Sequence, residues 1–116
     1  MRKVIVESPY AGDVATNLRY LRACMRDCLM RGEAPFASHA LYTQPGVLDD
    51  SDPEERNHGI QAGFAWREAA EMTVVYTDLG KTRGMVLGIA DAIEKGRPVE
   101  YRSLEPWASR DRDGEG

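Results

Sequence analysis

Histidine and cysteine are scarce in this chain, with two of each among 116 residues. His39 and His58 form no H-x-x-x-H pair, so no metal site is expected. Cys24 and Cys28 lie four apart in a helical pattern without C-x-x-C spacing, and they read as small hydrophobes on a helix rather than redox or zinc ligands. Long apolar runs are missing as well. The opening MRKVIVESPY has three consecutive apolar residues, too few for a signal-peptide core and far short of a membrane span, which makes a cytoplasmic protein with no membrane partner the expectation. Neither G-x-G-x-x-G nor a P-loop occurs, and no cofactor is expected. Positive charge is in deficit: fifteen Lys and Arg against nineteen Asp and Glu leave a net charge of -4. Such a chain carries no electrostatic footprint for a polynucleotide, so the expected partner is a small metabolite or a protein.

What remains is an ordinary globular composition, enough for one domain and one core. Its organising stretch is the β-branched run MTVVYT, the break Asp78-Leu-Gly80, and then TRGMVLGIADAIEKGRPV. In the last segment apolar residues recur at Met85, Ile89 and either Ala92 or Ile93. An extended run giving way to helical spacing predicts strand, loop and helix, and Pro98-Val99 after Gly96 starts another strand. Upstream, Val4, Ile5 and Val6 predict a strand buried on both faces. Ser8 to Gly12 predicts a loop, and Asp13 caps a helix whose stripe runs Val14, Leu18, Leu21, Met25. Glu33 to Ala37 predicts a short strand weakened by Pro35, and Ser38 to Ser51 a long polar loop. A second helix opens on Asp52 and Pro53, with Glu55 placed for a capping box and Ile60, Phe64 and Ala70 on its apolar face. The order βαβαβαβ predicts an α/β fold, a small Rossmann-like or flavodoxin-like three-layer sandwich on a four- to five-stranded, mainly parallel sheet. One domain is expected over residues 1–104, followed by a disordered tail over 105–116.

In such a sheet, loops at the carboxyl ends of strands converge on the ligand. The first supplies Ser8, Tyr10, Gly12 and Asp13. The second supplies His39 and Asp50, with Arg56 behind them, and the third supplies Asp78 and the residues up to Met85. The collection suits a polar, ring-containing small molecule, with an aromatic for stacking, carboxylates for hydroxyl or amine hydrogens, and helix-start amides for an anion. Single residues have plainer readings: Tyr10 as loop packing, His39 as a structural hydrogen bond, Asp13 as a cap. Asp78, at the exit of the central strand, has the strongest positional case for chemistry. Gly84 and Gly88 lie on one helix face, where a ligand, a strand or a second subunit can come close.

Three stretches, VIVESPYAGDVATN, ASHALYTQPGVLDDSDPEER and TRGMVLGIADAIEKGRPV, resemble the nucleoside 2-deoxyribosyltransferase-like superfamily, in a small phage and bacterial branch, over about Lys3 to Arg102. The resemblance implies an α/β protein that forms a homodimer or larger homo-oligomer and binds a nucleoside or nucleotide, cleaving or exchanging the bond between base and deoxyribose. It implies that Tyr10 and Gly12 flank the ligand, that Asp78 sits in the pocket, and that Gly84-Met85 begin the helix bearing the nucleophile. The nucleophile of the family's enzymes is a glutamate in that helix, and the corresponding position here is Gly88, which sets against catalysis the alternatives of a non-catalytic binder of a nucleotide-type ligand, a sensor or sponge, and of an oligomeric structural protein. Asp91 lies three residues on, about 4.5 Å along the axis, and joins Asp78 as a candidate catalytic acid. Ser8, Asp13, His39, Asp50, Arg56 and Met85 complete the expected ligand set.

Overall fold

The computed structural model describes residues 1–107, and most of the expected tail, 108–116, lies outside the described residues. Four strands, β1 (Arg2–Glu7), β2 (Glu33–Phe36), β3 (Met72–Tyr76) and β4 (Val99–Arg102), form one parallel sheet in the order β2-β1-β3-β4. The helices are α1 (Val14–Met30), α2 (Ser38–Leu41), α3 (Pro53–Arg67) and α4 (Arg83–Glu94). This is a Rossmann-like α/β architecture, as the residue pattern predicts. Pro35 is tolerated because β2 is an edge strand, where a missing N–H costs least. The chain leaves β1 for β2 on one side and then crosses to β3 on the other, which makes the β1–β3 junction the switch point of the sheet.

Alternation along the strands divides the core. Val4, Val6, Val74 and Tyr76 meet Tyr20, Leu21, Cys24 and Cys28 of α1, while Val75 meets Met85 and Ile89 of α4 on the opposite face. Of the two candidates on α4, Ala92 is fully buried and Ile93 is exposed. Glu7 has the parity of Ile5, so it turns away from α1 toward α3 and α4. Asp13 caps α1 by accepting from the Thr16 amide at 3.2 Å, and Thr82 caps α4 by accepting from the Met85 amide at 3.3 Å.

Four expectations need correction. The loop expected over Ser38–Ser51 begins with the helical turn α2, which packs on α3, where the Ser38 side chain lies so close to Gly63 that a side chain at 63 has no room. That contact spans some 25 residues of sequence and leaves no local signal. At the start of α3, Asp52 accepts from the Glu54 amide at 2.9 Å, but Glu55 turns back to the Asp49 amide at 3.2 Å instead of closing a capping box. The helix also ends at Arg67, short of Ala70. Finally, order continues past residue 104: Trp107 stands edge-on to Tyr20, with ring centroids 5.0 Å apart.

Candidate functional site at the switch point

A cavity of about 600 Å³ opens over the carboxyl end of β1, a size suited to a small organic ligand. Glu7 and Ser8 lie at its base, α2 and α3 form one wall, and Thr82 to Met85 at the start of α4 form another. Tyr42, Leu48, Ile60, Phe64 and Leu87 give it an apolar side. Ile60 and Phe64, on the apolar face of α3, line the cavity. Among the described residues, no cluster of three or more metal-ligating side chains forms, and no helix is long and apolar enough to cross a membrane.

Of the residues singled out from sequence, Ser8, Tyr10, His39, Asp50, Arg56, Gly84 and Met85 line this cavity. Ser8 Oγ and His39 Nε2 are hydrogen-bonded at 2.9 Å. Burial, reinforced by the Arg67 charge, pushes the His39 pKa down to about 4, so the ring is neutral at pH 7 and has both a donor and an acceptor nitrogen. Arg56 and Arg83 are both exposed at the cavity.

The other expected residues stand elsewhere. Gly12 makes the turn before α1 with φ of 98°, and neither it nor its capping neighbour Asp13 lines the cavity. Asp78 also lies outside the lining, and its carboxylate is committed to holding the fold: it accepts from Tyr20 Oη at 2.7 Å, Ser103 Oγ at 2.5 Å and the Leu104 amide at 2.9 Å. This clamp ties the end of β3 to α1 and to the segment after β4. Asp91 pairs with Arg97 at 2.8 Å and Lys95 at 3.2 Å. Burial opposes its charge, but the hydrogen bonds from Arg97 and Lys95 hold its carboxyl below the ordinary range. Arg97 in turn donates to Thr73 and to the Arg67 carbonyl. Asp91 therefore anchors α4 to the sheet and to the end of α3, one helical turn from Gly88 and away from the cavity.

Sequence reasoning missed Glu7 and Arg67. Glu7 is 4% exposed and Arg67 9%, and Arg67 Nη2 donates to Glu7 Oε2 at 2.5 Å. Burial pushes the Glu7 carboxyl above its ordinary range, against the pull of Arg67 and Arg97. The guanidinium lies over the Phe64 ring, 4.6 Å from its centroid, and its Nε has no hydrogen-bond partner among the described residues. Gly88 of α4 is buried beside this pair, and a Cβ built on it would fall on the Glu7 carboxylate and 2.8 Å from Arg67 Nη2. Two signals in the sequence pointed here: an acid ending the apolar run VIVE, and a glycine in mid-helix.

The fold is similar to that of a 2-deoxyribosyltransferase from Bacillus psychrosaccharolyticus, with a TM-score of 0.70 and 18% identity over 87% of this chain and 72% of that one. None of the curated proteins compared matches the sequence significantly. Residues 2–102 match the family described as a domain of unknown function, DUF7768, and with nearly the whole sheet and cavity inside that span, the chain belongs to this family.

Proposed function

We propose that the protein binds a nucleoside or nucleotide in the cavity at the β1–β3 switch point and acts on its N-glycosidic bond. The composition of the cavity carries this reading. Tyr42, Phe64 and Ile60 offer an apolar, aromatic side for a base, and Ser8, His39 and Asp50 offer hydrogen-bonding groups for a sugar. Arg56 and Arg83, exposed at the cavity, suit a phosphate. The likeness in fold to a 2-deoxyribosyltransferase supports the same ligand class. A second reading, a non-catalytic binder of the same ligands, is favoured by Gly88, which leaves α4 without a carboxylate at the position where the resembling enzymes carry their glutamate. Exposed Val86 and Ile93 on the outer side of α4 support assembly into a homo-oligomer, which light scattering on the purified protein tests.

A thermal-shift panel of nucleosides and their 5′-phosphates, with chromatography of every hit, tests the function. A ligand at a hundred times its dissociation constant stabilises the fold by about 2.7 kcal/mol, several degrees for a domain of this size. A shift with release of free base is the result expected. A shift with ligand recovered intact favours the binder, and a panel without shifts overturns both readings.

A further inference from the structure

Glycine inside a helix is unfavourable, so Gly88 needs a reason, and its surroundings supply one. The volume a side chain would occupy there is already filled by the Glu7 carboxylate and a guanidinium nitrogen of Arg67. Helix α4 has thus yielded space to an acid delivered from β1. That acid borders the cavity and among the described residues has a single ion-pair partner, whose Nε finds no hydrogen bond among them. A buried ion pair with unused donors is a poor way to hold a fold together, because burial of two charges is repaid only when their hydrogen-bonding capacity is filled. At the carboxyl end of the central strand of an open α/β sheet, the same arrangement places a reactive group against a ligand.

We propose that Glu7 is the catalytic carboxylate of this cavity, that Arg67 positions it, and that Gly88 is glycine in order to admit it. The proposal rests on the N-glycosidic reading above. A Glu7 oxygen attacks the anomeric carbon of the bound nucleoside or nucleotide. The carbon–nitrogen bond breaks with its electron pair passing to the base, which takes a proton from water, and a glycosyl ester of Glu7 forms. The resulting hydroxide adds to the anomeric carbon, the ester bond breaks with its electrons returning to the Glu7 carboxylate, and the net reaction is nucleoside plus water to sugar plus base. Arg67 keeps Glu7 ionised and pointed into the cavity. It acts through the Glu7 oxygen that it binds.

The test measures base release by the full chain from the nucleosides and 5′-phosphates that shift its melting temperature. Glu7→Gln, nearly isosteric, should lower kcat by about a thousandfold while the thermal shift by the same ligand persists. Arg67→Gln should move the acidic limb of the kcat profile to higher pH, a displacement that a purely structural arginine would not produce. The double variant Glu7→Gly with Gly88→Glu returns a carboxylate to the same volume from the other element, and it should recover activity that Glu7→Gly alone lacks. Base release undiminished in Glu7→Gln overturns the proposal, as does ligand binding by the wild type without any base release. If no nucleoside or nucleotide shifts the wild type, the ligand reading fails first and takes this assignment with it.

Discussion

The described residues hold two buried glutamate–arginine pairs, and they are built differently. At the end of β4, Arg102 forks onto both oxygens of Glu33 at 2.8 and 2.7 Å, and it also donates to Glu100 at 2.6 Å and to Tyr76 Oη at 3.2 Å. The hydrogen bonds from Arg102 outweigh burial and hold the Glu33 carboxyl below its ordinary 4.5. At the end of β1, Arg67 makes one contact to Glu7 and leaves Nε unpaired. There burial wins, and the Glu7 carboxyl is pushed above 4.5. A guanidinium that spends its donors in a bidentate fork repays its desolvation, and one that does not is left with unmet demand. In this fold the unmet demand borders the cavity.

The largest effect that sharpens the contrast is expected at Arg102. Arg102→Met strands Glu33 and removes partners of Tyr76 and Glu100, and it should cost about 3 kcal/mol in urea denaturation. Arg67→Met should cost clearly less, and equal losses would break the comparison. A third acid extends it: Asp78→Ala removes three hydrogen bonds and should cost about 2 kcal/mol, while any ligand-induced thermal shift stays intact, because Asp78 is outside the cavity.

Gly88→Ala comes next. Its Cβ meets Glu7 and Arg67, so the substitution should destabilise by about 1 to 2 kcal/mol. In a Glu7→Gly background the same substitution should stabilise, by up to about 1 kcal/mol, since the flexible end of Arg67, no longer tied to Glu7, can move aside and the gain in helix propensity remains. Additivity in this double-mutant cycle would show that the two residues do not share the space.

The smallest effects, about 1 kcal/mol or less, differ in sign. The stabilisation from Glu33, whose folded pKa is lowered, is present above 4.5 and lost as pH falls through the folded value, so Glu33→Gln should be destabilising near neutrality and converge on the wild type in acid. For Glu7, whose folded pKa is raised, the contribution is full below 4.5 and lost as pH rises through the folded value. Glu7→Gln should therefore gain on the wild type as pH rises. Melting curves across pH 3 to 8 check both.

Much of the fold was legible because its signals are local. The run Val4 to Val6, the Asp13 cap, the Asp52-Pro53 opening and the apolar spacing from Met85 to Ala92 each depend on neighbours within a turn or a strand. Convergence of the loops carrying Ser8, Tyr10, His39, Asp50, Arg56 and Gly84 followed from strand order alone. The position of Asp78 misled. An acid at the exit of a central strand is equally suited to a ligand or to a hydroxyl, and Tyr20, 58 residues away, occupies it.

From sequence alone come the parallel α/β sheet, the boundaries of its main elements and the loops that meet at its switch point, since periodicity and capping are encoded residue by residue. Which buried acid borders the cavity was decided only in three dimensions. Whether a carboxylate is used up or left available depends on the partners that fall within 3 Å of it, and those of Glu7, Asp78 and Glu33 come from 25 to 69 residues away. The pairing of Glu7 with the space at Gly88 is the clearest case. Each residue is a weak signal alone, and the contact between β1 and α4 gives both their meaning.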